Sequence, residues 1–194
     1  MQKLYWRPAH VSRIVHVLVA LIALAILLSV ERFKIVYVQP HFEEKLAAAR
    51  RMQRGMEVIR AHRVRNVAAV DLDVDPTNSG IIGFAASSTT TNTGSLEAKR
   101  TTANPNWAGV VVDLLAEAGV ERGDLVAVGV SGSFPALNIA AFAAIEELGL
   151  EPITIASVGA SSWGANVPGL SWLDMERILI EAEIISRGSV AASL

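Results

Sequence analysis

Hydrophobic and polar positions divide this chain into regions of different period. From Ile14 to Val30 no residue carries a formal charge at neutral pH; Lys3, Arg7 and Arg13 precede the run, and Glu31, Arg32 and Lys34 follow it. A helix across the hydrocarbon core needs roughly 17–25 apolar residues, so the run reaches the lower limit and predicts a membrane anchor over residues 1–34. A cleaved signal peptide fits less well, because Ser29-Val30-Glu31-Arg32 offers no small-x-small site. A buried helix of a soluble fold is the remaining alternative. After Ile35-Val36-Tyr37-Val38, a short extended piece ended by Pro40, apolar residues recur at Phe42, Leu46, Ala49, Met52, Met56 and Ile59. Spacings of three and four place them in one stripe. They predict an amphipathic helix from Phe42 to about His62, within a juxtamembrane segment 35–65.

From Asn66 the pattern becomes strand and helix in alternation. Strands are expected over Val67–Val74, Asp124–Val130 and Pro152–Val158. Helices are expected over Trp107–Ala118, ended by Gly119, and over Pro135–Leu148, ended by Gly149. Ser171-Trp172-Leu173-Asp174 reads as a capping box with Asp in the Glu position, opening a helix that runs to about Arg187. Apolar strands separated by helices imply a parallel sheet covered on both faces. Residues 66–194 are therefore expected to form an α/β domain, a three-layer Rossmann-like parallel sheet, behind the transmembrane helix and the juxtamembrane amphipathic helix.

Charge and composition narrow the function classes. The formal net charge of -2 argues against a general nucleic-acid binder. The absence of cysteine removes disulfides and a lipoprotein anchor. The polar face of the Phe42–His62 helix turns basic past its first turn: Arg50, Arg51, Arg54 and Arg60, continued by Arg63 and Arg65, are opposed between residues 50 and 65 only by Glu57. Such a face reads as a solvated surface beside a membrane, or as attraction to anionic lipid or a polyanionic substrate. Positive charges flank both ends of the apolar run. The less diluted amino-terminal group favours an inside amino terminus and an extracytoplasmic domain.

In a parallel α/β sheet, ligands bind beyond the carboxyl ends of the strands, so three loops carry the candidate chemistry. The first holds Asp71, Asp73 and Asp75, which would share one face of a strand. Adjacent carboxylates repel unless a cation or donors lie between them. Mg²⁺ on Asp71, Asp73 and Asp75 is the candidate metal site, against carboxylates that only end a strand or hydrogen-bond a polar substrate. A calcium loop fails, because Pro76 and Ile82 stand where glycine and glutamate are required.

The second loop, Gly129-Val130-Ser131-Gly132-Ser133, lacks only the last glycine of a nucleophile elbow. Its histidines are misplaced: His10, His16, His41 and His62 all precede Ser131. The alternative is an anion cradle. Pro135 suits the first helical position and Phe134 cannot cap it, leaving the amides of Leu137 and Asn138 to a carboxylate or phosphate, aided by Ser131, Gly132 and Ser133. A tight turn capped by Ser133 is the third possibility. The third loop contributes Ser161, Trp163 and Asn166, and the hydroxyl-rich stretch Ser87–Thr93 adds Thr89 and Thr90, followed by Lys99 and Arg100. No P-loop and no Gly-x-Gly-x-x-Gly occurs, so ATP and dinucleotides lack support.

The segments DVDPTNSGIIG, EAKRTTANPNWAGVVVDLL, VAVGVSGSFPALNIAAF and SVGASSWGANVPGLSWLDME together resemble the bacterial poly-γ-glutamate system proteins, over most of Asp71 to Glu176. The resemblance implies a membrane-linked accessory role in making, exporting or trimming an anionic polymer, alongside other membrane subunits of that system. It assigns no catalytic residue. Members of that family are expected to be longer, which implies an α/β domain incomplete relative to them. Three readings follow. One is a component that binds γ-glutamyl carboxylates at the carboxyl edge of the sheet. Another is a γ-glutamyl hydrolase or transferase using Asp71, Asp73 or Asp75 with a metal, or Ser131 with a non-histidine base such as Lys99. The third is a structural subunit without an active pocket.

Overall fold

The computed structural model describes residues 12–34 and 37–193. The chain divides into two compact units between Gln39 and Pro40. Lys3, Arg7, His10 and the Ile35-Val36 half of the expected extended piece lie outside the described residues.

In the first unit, Ser12 caps helix α1 (Arg13–Arg32) by accepting the Val15 N–H. Its 20 residues rise about 30 Å, and none is buried. By length and composition α1 is able to cross a membrane.

The second unit begins with α2 (Phe42–Asn66). Met52, Met56 and Ile59 of the anticipated stripe are buried, each adding roughly 1.5–3 kcal/mol over exposure, whereas Leu46 and Ala49 are half-buried, Phe42 is exposed, and Ala48 is buried in their place. Gly55 lies on the same stripe, where a Cβ would sit 3.1 Å from both the Ile139 and Leu179 side chains. Close helix approach thus depends on its missing side chain. The helix expected to stand apart in segment 35–65 is instead built into the core of the α/β unit.

Then follow β1 (Thr90–Asn92), α3 (Leu96–Thr102), α4 (Asn106–Glu117), β2 (Leu125–Ser131) and α5 (Pro135–Leu148). The chain closes with β3 (Glu151–Ser157), β4 (Ala160–Ser161), α6 (Trp172–Glu181) and β5 (Ala191–Ser193). Pro135 opens α5, and Gly149 ends it in the left-handed region at φ 67°. The capping box of Ser171 and Asp174 opens α6. That helix stops at Glu181 rather than near Arg187. Glu183 turns left-handed, and the Ile184 N–H reaches back to the Leu179 carbonyl, so Ile184 and Ile185 fold into the core.

Residues 67–74 are not a strand. The Asp71 carboxylate accepts the Asp73 N–H at 2.9 Å, and the Asp71 carbonyl accepts from Val74 and Asp75. Local side-chain bonding curls the segment into turns before it can join a sheet.

Parallel strands form two sheets, ordered β1-β4 and β2-β3-β5. α2 packs across α4 and α5 and touches α6, while Trp172 stacks on Phe142 with ring centroids 6.1 Å apart. On the face of the β2-β3-β5 sheet toward this core, Pro152, Thr154 and Ala156 are buried. The opposite face is bare among the described residues: Leu125, Ile153 and Ile155 are 72%, 49% and 56% exposed. The architecture is a mixed α/β domain with parallel sheets.

Candidate functional site

Three segments far apart in sequence meet around the ends of β1, β2 and β4. Asn166, fully buried, is their common tie. Its Oδ1 accepts the Phe84 N–H, while Nδ2 donates to the Phe84 carbonyl and to Thr90 Oγ1, each at 2.8 Å. Its backbone carbonyl accepts from the Ser87 and Thr89 hydroxyls. A Cβ on Gly83 would collide with the Gly164 carbonyl and with Asn166 Oδ1. Backbones here touch directly, which explains small residues in both loops. Thr89, Thr90 and Asn166, expected to face a ligand, have these polar groups engaged with one another.

The loop after β2 is tied in the same way. Gly132 donates its N–H to the Ser157 carbonyl, and its own carbonyl accepts from Ala165 at 2.7 Å. Ser131 Oγ accepts the Ser133 N–H at 3.3 Å, and the Ser131 carbonyl takes the Asn138 side-chain amide at 2.8 Å. Ser133 does not cap α5; its Oγ accepts the Ser161 N–H. The Asn138 backbone amide, expected to be free, donates to the Phe134 carbonyl. Leu137 lies in the uncapped first turn. In front of that turn is a crevice walled by Lys99, Pro135, Ala136 and Trp163, too tight for a water molecule. An anion cradle at the start of α5 therefore has no open volume.

Lys99 is 4% exposed, and its Nζ lies 3.0 Å from Ser161 Oγ and 3.4 Å from the centre of the Phe134 ring. Burial pushes its pKa down. The expected pairing of Lys99 with Ser131 is replaced by one with Ser161. Trp163 adopts a left-handed φ of 66°, uncommon for a bulky residue, and is held by hydrogen bonds to Gly83 and Phe84.

The three aspartates do not converge. Asp75 is 1% exposed and saturated: it accepts from Thr77 Oγ1, from the Ser79 N–H and hydroxyl, and from the Gly80 N–H at 2.7 Å. Asp71 is bonded to the Asp73 N–H, and Asp73 is an exposed residue whose carbonyl holds Arg100. Among the described residues no group of three His, Cys, Asp or Glu side chains is placed to hold a metal. The shared face presupposed a strand that the turns at Asp71 abolish.

A cavity of about 780 Å³ opens beside this junction, between α2 and the loops that follow Asp75 and Thr101. Arg60 and Arg100 supply its positive charge, and Gln53, Asn78, Ser79 and Asn104 its neutral polar groups. Arg100 is fixed by bonds to the Val74 and Asp73 carbonyls and a 2.6 Å pair with Glu97. A second groove, about 400 Å³ and lined by Arg50, Arg54 and Glu147, shares Gln53 and Glu57 with the first. Arg50, Arg54 and Arg60 make no ion pair among the described residues.

The chain matches no family model, no curated protein and no solved structure. Guanidinium groups beside amides and hydroxyls suit carboxylates or phosphates, since planar N–H donors pair with two oxygens at once. Of the site residues chosen from sequence, only Arg100 lines this groove. The arginine face of α2 was legible, but it belongs to the domain rather than to a separate membrane-side helix.

Proposed function

We propose that this protein is a membrane-anchored component of a bacterial poly-γ-glutamate synthesis or export system. On this reading its α/β domain holds the carboxylates of the polymer, or of a γ-glutamyl precursor, along the arginine face of α2. The observation that carries it is the pair of adjoining grooves. Arg50 to Arg60 spans about 15 Å of helix at 1.5 Å per residue, with Arg100 fixed opposite. A chain with one carboxylate per repeat meets a row of cations, and the mixed charge with Glu57 limits indiscriminate binding of anions. The segments quoted above that resemble the poly-γ-glutamate system proteins supply the identity of that polymer.

In the same reading α1 is a single-pass anchor, the domain lies on the extracytoplasmic side, and other membrane subunits of the system are its neighbours. The bare face of the β2-β3-β5 sheet takes a further layer, completing a three-layer Rossmann-like fold. Binding is tested by titrating fluorescent γ-linked glutamate oligomers into the full chain in detergent micelles. Saturable binding that weakens at least tenfold in Arg60→Ala/Arg54→Ala, and weakens with salt, is expected. Equal affinity of wild type and double variant would overturn the groove as the site.

A further inference from the structure

The stripe of α2 that borders the two grooves runs Arg50, Gln53, Arg54, Glu57 and Arg60, and its one acid sits where the grooves join. Glu57 lines both, is exposed, and stands three residues from Arg54 of the smaller groove and three from Arg60 of the larger. Side chains at that spacing are neighbours on a helix surface. Glu57 nevertheless makes no ion pair among the described residues, and its carboxylate accepts from the Gln53 side-chain amide at 3.0 Å. The other acid of the grooves, Glu147, is already paired with Arg51 at 2.6 Å. A ligand carrying only carboxylates gains at Arg54 and Arg60 but is repelled between them, at Glu57. The full pattern of charge is met by a ligand with a cation set beside a carboxylate.

We infer that the joint of the two grooves recognises a free α-amino-acid end, an ammonium and a carboxylate on one carbon, so that a γ-glutamyl chain is held by its amino terminus rather than at any point along its length. The ammonium pairs with the Glu57 carboxylate, which one bond from Gln53 leaves with further acceptor sites. The carboxylate on the same carbon reaches Arg60, with Arg100 on the other wall of the larger groove. Arg100 is held in place by the Val74 and Asp73 carbonyls, so this end of the site is set before the ligand arrives. Later carboxylates of the chain follow Arg54 and Arg50 into the smaller groove. An internal stretch of the polymer has amides where the end has an ammonium, and gains nothing at Glu57. The inference rests on the binding reading above and narrows it from the polymer to one of its ends. Free glutamate carries the same ammonium and carboxylate, and competition separates the two sources.

Two γ-linked glutamate oligomers of equal length, each with a fluorophore at the carboxyl end, are titrated into the full chain in detergent micelles at fixed salt; one has a free amino terminus and the other is N-acetylated. Acetylation makes the oligomer more negative, so arginines alone would favour the acetylated form. The free-amine oligomer is instead expected to bind about fivefold more tightly, and Glu57→Gln, a change on an exposed helix face, to bring the two within ~2-fold of each other. Displacement of the free-amine oligomer by unlabelled glutamate, but not by N-acetylglutamate, assigns the site to the lone amino acid; displacement only by unlabelled free-amine oligomer assigns it to the chain end. Equal affinity of both oligomers for the wild type, each still weakened in Arg60→Ala/Arg54→Ala, would overturn the inference and leave the arginine groove standing. A preference for the free amine that persists unchanged in Glu57→Gln would overturn it as well. No saturable binding of either oligomer would overturn the arginine groove, and the inference with it.

Discussion

Arg60 and Arg63 lie one turn apart on α2 and meet opposite fates. Arg60 ends in an open groove without an ion pair among the described residues. Arg63 is 2% exposed, donates Nη1 to the Gly80 and Ile82 carbonyls, and lies under the Phe84 ring at 6.0 Å. Burial lowers its proton affinity, and the nearby Asp75 carboxylate opposes that. One arginine organises a dry junction; the other decorates a wet groove. Residue type alone therefore does not mark a binding site, because what matters is which of its donors the fold has already engaged.

The dry side depends most on its buried polar groups. Asn166→Ala strips partners from the Phe84 N–H, the Phe84 carbonyl and Thr90, and is expected to cost about 3–4 kcal/mol in denaturant unfolding. A cost below about 1 kcal/mol would mean that the junction is not a structural tie. Gly164→Ala places a methyl against the Gly132 carbonyl, for an expected loss of about 2–3 kcal/mol read as a lower melting temperature.

Lys99 gives the junction a pH signature. Its folded pKa lies below the ordinary ~10.4, so between those two values the unfolded chain holds the extra proton. Stability should then rise with pH through that window, and Lys99→Met should flatten the rise. Unfolding free energies of both proteins from pH 7 to pH 10 check the sign; a fall in the wild type would contradict it. On the wet side, Arg60→Ala and Arg54→Ala are expected to change stability by less than about 0.5 kcal/mol while weakening binding of carboxylate polymers. A large stability loss there would erase the distinction between the two regions.

Much of the fold was legible where period and punctuation agree. α5 matches its expected bounds because Pro135 and Gly149 fix both ends, and the Ser171–Asp174 box opens α6 as anticipated. β2 and β3 were readable from their runs of β-branched residues. The segment 67–74 was not, because its alternation is genuine but Asp71 satisfies the backbone locally. β1 and α3 lie inside a hydroxyl-rich stretch, too short and too polar to show a period. The loops carrying Ser131 and Ser161 do meet, as their placement after strands suggested. Their link is the Ser161 N–H donating to the Ser133 hydroxyl, and the pairing of Lys99 with Ser161 rests on tertiary contact that spacing does not encode.

On the proposed reading a carboxylate polymer lies along α2 and not at the start of α5. A γ-linked glutamate oligomer carrying a photoreactive benzophenone, crosslinked to the full chain and mapped by mass spectrometry, tests it most directly. Adducts confined to residues 50–60, 77–79 and 100–105 are the expected result, and adducts concentrated at residues 131–137 would overturn binding along α2.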